Sequence, residues 1–468
     1  MDLTVLLPEV IVLLGALIAL FGERISADRG AAVIGLVATG AATAAVWLVP
    51  VPRYLFGTML SFGPGPAGLV VRSAICALTF LFLAWVTARG WSGERPGAAV
   101  SMVLFAVAGG MLLVSANDLV VLFMGLELAT MPAYVLIGFS RDEERSLEAA
   151  LKYFLLSVLT SVTLAYGLSF IYGMNGTTAY LPVEQTGGLL ALFAGSIVMV
   201  GLLAKITAAP FHFWSPDAYE GASIPSVAFV ASVAKIGPLY ALVKFVAVVL
   251  PAVSGLSTGI LAVAVVSMIL GNVVALVQTD LRRMVAYSGI ANAGYMMLGL
   301  AAHSVAGYAS TVFFVVIYAV SVLGLLLVVA QEGPTLQDVA GLVRTRAYAA
   351  WCAVGFLFSL IGFPPMVGFF GKLTVFGAAF GAGEYFAVVV AILMSVVSAG
   401  YAFRVIRAMF TPGEGAPEMV EREPIEKTAT VPQWPVLAAT VILVLAILTI
   451  ALGVATQPLV SMLAAALV

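Results

Sequence analysis

Charge is the scarcest thing in this chain. Only 9% of its 468 residues are Asp, Glu, Lys or Arg, where a soluble domain carries about a quarter. With 62% of residues hydrophobic, too little polar surface remains to cover a water-facing fold, so a soluble domain is excluded. Cysteine is nearly absent: Cys76 and Cys352 both lie in apolar runs, which excludes a disulfide framework and an iron–sulfur cluster. Histidine is as rare, and His212 and His303 leave little room for bis-histidine haem ligation. Nucleotide loops, catalytic triads and zinc spacings are missing. The chain is therefore expected to hold no redox centre, cofactor or metal of its own and to bind no nucleic acid. Met1 to Glu9 lack a basic region and a small-residue cleavage site, so the first helix is expected to be retained.

Long apolar runs are what the chain has instead. Fourteen segments repeat along it, over 4–21, 31–50, 68–88, 98–115, 118–139, 146–173, 189–209, 224–250, 256–278, 284–301, 305–330, 348–380, 384–408 and 433–455. About 20 residues cross a hydrocarbon core as a helix, so the expected fold is an all-α integral membrane protein. Two segments depart from a simple span. Prolines interrupt Lys205-Ile-Thr-Ala-Ala-Pro210-Phe-His212-Phe-Trp-Ser-Pro216, and Gly362-Phe-Pro364-Pro365 falls inside 348–380. Broken helices are tolerated in a bilayer where they line a cavity or pack on protein. One break in each half hints at an inverted repeat.

Basic residues orient the spans. With the N-terminus outside, inner connections hold Arg24, Arg29, Arg89, Arg95, Arg141, Arg145, Arg282, Arg283, Arg344, Arg346, Arg404, Arg407, Arg422 and Lys427, and the outer side holds Arg53 and Arg72. Fourteen against two fits the positive-inside rule. Both termini are then expected outside.

Five basic residues remain, all lysines within apolar segments: Lys152, Lys205, Lys235, Lys244 and Lys372. Arginine stays protonated and anchors topology, whereas a desolvated lysine can give up its proton. A buried lysine is thus a candidate proton carrier, and each costs roughly 2.5–3.5 kcal/mol to insert. Lys235 lies near the midplane, Lys205 just before the first break and Lys372 after the second. These three are the strongest candidates, against a snorkelling alternative. Lys152 has Glu148 one turn earlier, so an i,i+4 ion pair explains it nearly as well as transport. Lys244, close to the outer surface, is expected to snorkel.

Glu127 is the one comparably deep carboxylate, and it must be protonated or paired with a lysine. Such a pair could switch a lysine between holding and releasing its proton, or brace two helices. Asp118 and Glu9 sit near span ends and are expected to be solvated. His212 could relay protons beside the break or stabilise an unwound segment; His303 is expected in an outer loop, solvated. Asp217 and Glu220 are expected to cap the next helix or hold the loop.

Several runs together resemble a known family. They are Gly125-Leu-Glu127-Leu, Ser146-Leu-Glu148-Ala-Ala-Leu-Lys152-Tyr-Phe, Lys205 to Trp214-Ser-Pro-Asp217-Ala-Tyr-Glu220-Gly-Ala, Gln278-Thr-Asp-Leu-Arg282-Arg-Met-Val-Ala-Tyr-Ser288 and Gly362-Phe-Pro-Pro-Met-Val-Gly-Phe-Phe-Gly371-Lys372. Over roughly residues 100–410 the chain resembles the subunit N family of respiratory complex I, among the antiporter-like membrane subunits of NADH–quinone oxidoreductase. The resemblance implies two inverted five-helix repeats, helices 4–8 over 98–250 and helices 9–13 over 251–410, with helices 7 and 12 broken. Residues 1–97 would hold helices 1–3, and 411–468 a loop and helix 14. It implies that Glu127 is the charge partner of Lys205, Lys235 the central relay and Lys372 the lysine of the outer half-channel. Lys372 stands where the related subunit M typically has glutamate. About thirteen residues after the last span leave no room for the long lateral helix of subunit L. In Ser288-Gly-Ile-Ala-Asn292-Ala-Gly-Tyr295 the family often has histidine at position 292, so a histidine role there is not carried over.

The resemblance further implies a proton-translocating subunit in a bacterial plasma membrane, with both termini periplasmic. Its partners would be the other membrane-arm and redox-arm subunits and the lipid bilayer. NADH, FMN, iron–sulfur clusters and quinone would belong to those partner subunits. The alternatives are a related cation/proton antiporter, a membrane-bound hydrogenase or a ferredoxin-linked complex. A stand-alone transporter would need a polar substrate pocket, and a scaffold has no need of buried lysines.

Overall fold

The computed structural model describes residues 3–21, 29–48, 65–91, 95–140, 143–183, 188–251, 253, 255–411 and 434–467. Arg24, Arg53, Arg141, Arg422 and Lys427, used above for orientation, lie outside them. Among the described residues every extended element is a helix. The first spans are α1 (Leu7–Phe21), α2 (Gly30–Leu48), α3 (Gly65–Arg89), α4 (Pro96–Ser115), α5 (Leu119–Ile137) and α6 (Glu144–Asn175). Then follow α7 (Gly188–Lys205), α8 (Trp214–Gly221), α9 (Ile224–Ala231), α10 (Ile236–Val248), α11 (Leu256–Ala275), α12 (Leu281–Ala301) and α13 (Val305–Glu332). The chain continues through α14 (Leu342–Thr345), α15 (Ala347–Ile361), α16 (Val367–Gly381), α17 (Tyr385–Phe410), α18 (Val436–Val454) and α19 (Thr456–Leu467).

Twelve helices among the described residues are long and apolar enough to cross a membrane, α9 and α10 together counting as one. Adding α12, which has the length but carries Ser288, Asn292 and Tyr295, and the short pair α15–α16 gives fourteen crossings. Burial sorts them. The α9–α10 crossing and α13 are 94% buried, whereas α6, α17 and α18 are 33% buried and face outward. The protein core is therefore built around Lys235's own helix.

The seventh crossing breaks between α7 and α8, and the twelfth between α15 and α16. Each break contains a cis X-Pro peptide, Ala209–Pro210 and Pro364–Pro365. Gly362 closes α15 at φ 81°, a left-handed cap that glycine adopts without a Cβ clash; a Cβ there would lie 2.9 Å from Lys372 Cδ. The eighth crossing is also irregular. It passes through a tight turn at Val233–Lys235 between α9 and α10, because Pro238 has no N–H for the Ala234 carbonyl.

The two breaks belong to halves with a matching detail. Asp118 caps α5 by accepting from Val120 N and Val121 N, and Leu119 N donates to Thr178 O at 2.7 Å. Asp280 caps α12 by accepting from Arg282 N and Arg283 N, and Leu281 N donates to Pro334 O at 2.7 Å. Five crossings separate these caps, so they lie at opposite faces.

Four expectations need correction. Glu9 is 4% exposed and Arg72 2% exposed, so neither is solvated, and Arg72 is not in an outer connection. They pair inside the bundle at 2.5 Å. Asp118 is fully buried; capping α5 and accepting from Thr178 Oγ1 at 2.6 Å replaces its water. His303 is half-buried, with Nε2 enclosed and Nδ1 3.4 Å from Tyr308 Oη.

Close helix approach rests on glycine. A Cβ on Gly237 of α10 would sit 2.7 Å from Gly110 Cα and 2.9 Å from Gly110 O of α4. Backbone cannot swing aside as a side chain can, so Gly237→Ala is expected to destabilise by about 1–3 kcal/mol, read from the thermal midpoint of the purified protein.

Candidate functional site

The site begins where α7 ends. Leaving the helix at Lys205 turns this side chain toward α5 and α6, and it is 6% exposed. Its Nζ donates to Ser157 Oγ at 2.6 Å and Ser161 Oγ at 2.9 Å. It also donates to Tyr134 Oη at 3.3 Å and Thr130 Oγ1 at 3.4 Å. Glu127 Oε1 is 3.7 Å away and accepts from Ser161 Oγ at 2.5 Å. Ser161 thus accepts from the ammonium and donates to the carboxylate. Hydroxyl dipoles from two helices take the place of water around both charges. The structure brings Glu127 and Lys205 together as expected.

Lys235 lies across the break. It is 7% exposed, and its Nζ donates to Thr207 Oγ1 at 3.1 Å. Thr207 sits in the unwound segment at φ 65°. The ammonium lies over the rings of Tyr219 and Tyr318, 5.7 and 5.9 Å from their centroids, where the π-faces attract it. Gly289 of α12 makes the room: a Cβ would stand 2.9 Å from Tyr318 Oη and 3.1 Å from Lys235 Nζ. A cavity of about 10 Å³ borders Lys235, Gly289 and Tyr318, close to the space one water needs.

Lys372 on α16 is 4% exposed. Its Nζ donates to Ile361 O, at the last residue before the second break, at 3.0 Å and to Ser395 Oγ at 3.1 Å. It lies 4.3 Å from the Tyr295 ring centroid. Helix α12 stands between the two lysines. It sets Gly289 against Lys235 and Tyr295 against Lys372, with Asn292 between them along the helix and Ser288 just before Gly289. Ser288 Oγ is 3.1 Å from Tyr401 Oη, and Asn292 Nδ2 donates to Ser288 O at 2.8 Å. Asn272 Nδ2 donates to Tyr295 Oη at 3.1 Å.

The other candidates fall elsewhere. Lys152 is exposed at the surface, paired with Glu148 at 2.8 Å and Asp217 at 2.9 Å. Asp217 and Glu220 both accept from Arg283 of α12, at 2.9 and 2.6 Å. They tie α8 to α6 and α12, as loop-holding groups. His212 stacks on Phe213, and its Nδ1 is enclosed without a hydrogen-bond partner. Lys244 is half-buried on α10.

Charge scarcity pointed to the lysines and missed their surroundings. Thr130, Tyr134, Ser157, Ser161, Thr207, Tyr219, Tyr318, Tyr295 and Ser395 are the residues that hold them. The available signal was the run of hydroxyls Ser157-x-x-Thr160-Ser161 inside an otherwise apolar span.

This arrangement has relatives. The family model described as NADH:quinone oxidoreductase/Mrp antiporter, TM matches residues 116–398, a stretch holding the pair and all three buried lysines. The chain is 35% identical over 430 residues to the NADH-quinone oxidoreductase subunit N of Laribacter hongkongensis, covering 86% of this chain and 87% of the relative. It superposes with a TM-score of 0.82 on a chain of respiratory complex I from Thermus thermophilus, 28% identical, covering 98% of this chain and all of that one. It also shares its fold, at a TM-score of 0.86 and 21% identity, with a chain of the Mrp complex from Dietzia sp. DQ12-45-1b, covering 100% of this chain and 97% of that one. The chain belongs to the NADH:quinone oxidoreductase/Mrp antiporter transmembrane family, among its subunit N members.

Proposed function

We propose that this chain is a proton-translocating membrane-arm subunit of an NADH–quinone oxidoreductase, and that protons pass along Lys205, Lys235 and Lys372. The observation that carries the proposal is the Glu127–Ser161–Lys205 assembly. A buried ammonium is stable beside a carboxylate and costly without it. A change in the charge on Glu127 therefore alters how firmly Lys205 holds its proton. Energy arrives from neighbouring subunits as that change. Lys235 receives the proton beside Thr207, and the polar face of α12 leads on to Lys372. Lys152 acts as a clamp of α8 and is outside the path, and His212 is a secondary relay beside the break.

Two inverted five-helix units, 98–250 and 251–410, would each supply one half of the path. The matching caps at Asp118 and Asp280 support that division. The membrane is a bacterial plasma membrane, with the arginine-bearing helix ends inside and both termini periplasmic. NADH, FMN, iron–sulfur clusters and quinone are held by partner subunits.

Glu127→Gln keeps an acceptor for Ser161 and removes the charge. In the assembled complex reconstituted in vesicles, it is expected to lower protons moved per electron while NADH oxidation continues. An unchanged ratio would remove Glu127 from the mechanism. The Mrp-like fold keeps a cation/proton antiporter assembly as the second reading, and mass spectrometry of copurifying subunits separates the two.

A further inference from the structure

A cavity of about 740 Å³ opens where several spans end together. It is lined at the last residue of α3, Arg89, and the residue before α4, Arg95. Both side chains are exposed, and among the described residues no side-chain hydrogen bond or ion pair engages either one. Deeper in, the walls are Trp85, Met102, Val135 and Phe139. The cavity is thus cationic at its mouth and apolar toward the membrane interior.

Two helix N-termini add to the positive field. Arg95 precedes α4 and Ser223 precedes α9, both line the cavity, and neither caps its helix through its side chain. The positive ends of the two helix dipoles favour an anion. Two other charges at the rim must be counted. Arg282 is engaged by Asp280 and by Ala222 O, and Glu143 offsets one arginine. Among the described lining residues the balance remains positive. The level is also informative. Helix ends of a multi-span bundle lie at the headgroups. Basic pockets between spans at this depth suit anionic headgroups.

We propose that this cavity is a binding site for an anionic phospholipid. The phosphate lies between Arg89 and Arg95 at the α4 and α9 N-termini, where a guanidinium can offer paired N–H donors. The first acyl methylenes pack on Trp85, Met102 and Val135. The site shares no residue with the lysine path, so neither proposal depends on the other.

The test uses the assembled complex in phosphatidylcholine vesicles containing a few mole per cent of a photoactivatable phosphatidylglycerol. Labelled peptides are mapped by mass spectrometry. Labelling is expected within 85–102 and 135–139, and an equal amount of a photoactivatable phosphatidylcholine is expected to leave them unlabelled. The double variant R89Q/R95Q is expected to label roughly tenfold more weakly, with R89K/R95K retaining most of the signal. Ala98→Trp, which puts an indole in the cavity wall and keeps both arginines, is expected to weaken it. Equal labelling by phosphatidylcholine overturns the proposal, as does full labelling of R89Q/R95Q. Competition by inorganic phosphate alone would identify a free-anion site and overturn the lipid assignment. The comparison of the two lipids in the unaltered complex decides the matter even if a variant fails to assemble.

Discussion

Lys235→Met in the assembled complex is expected to reduce proton flux through this chain by roughly a hundredfold or more. That is the range a positioned proton-transferring side chain contributes. Methionine is unbranched like lysine and adapts to irregular space, so it can occupy the slot between Tyr219 and Tyr318. Packing is preserved while the ammonium is lost. The lysine is 7% exposed, and its hydrogen bond to Thr207 connects it to the broken seventh crossing. Among the described residues no second titratable amine or carboxylate is found at that contact. The measurement is protons translocated per electron in vesicles, with NADH oxidation followed in parallel. Electron transfer is expected to continue at a lower proton yield. An undiminished yield would rule out the central role of Lys235.

The second large effect lies away from the path. Arg72→Met leaves the Glu9 carboxylate enclosed without its cation. Removing one partner of a buried pair costs about 3–5 kcal/mol, a large share of the stability of any domain. Arg72 donates to both Glu9 oxygens, at 2.5 and 2.6 Å, joining α1 to α3. The double variant with Glu9→Gln removes both charges and is expected to recover most of the loss. Thermal midpoints of the purified complexes give the comparison, and protons per electron are expected to stay unchanged in whatever assembles. If the double variant is as unstable as Arg72→Met, the ion pair is not what stabilises these helices.

Apolar runs and prolines made most of the architecture legible. Each span boundary follows from where hydrophobic residues end, and the breaks follow from Pro210 and Pro364-Pro365. That Glu127 must be protonated or find a lysine was legible because deep charges are few, and the family resemblance singled out Lys205 as the partner. Arg72 was misjudged for a physical reason. Counting charges by position along a span treats an early residue as near water, whereas Glu9 approaches from another helix. The irregularity at Val233–Lys235 went unread, although Pro238, its cause, stands three residues further on in the sequence. The hydroxyls were the least legible. Serine and threonine in a membrane helix can bond their own chain's carbonyls, as Thr79 does with Ile75 O at 2.7 Å. Their sequence therefore does not distinguish such residues from Ser157 and Ser161, which serve a lysine.

The pairing of α8 with α12 gives the buried lysine a handle on the water side. Glu220, held by Arg283, is the immediate neighbour of Tyr219, which covers Lys235. Arg283 is on the helix that carries Gly289, which borders the same ammonium. The surface fork and the midplane contact are two ends of one short lever. Sliding α8 along α12 would strain the ion pairs and shift the ring together. Dissolved salt weakens half-exposed pairs of this kind, so ionic strength at the surface is expected to bear on a lysine that is itself only 7% exposed.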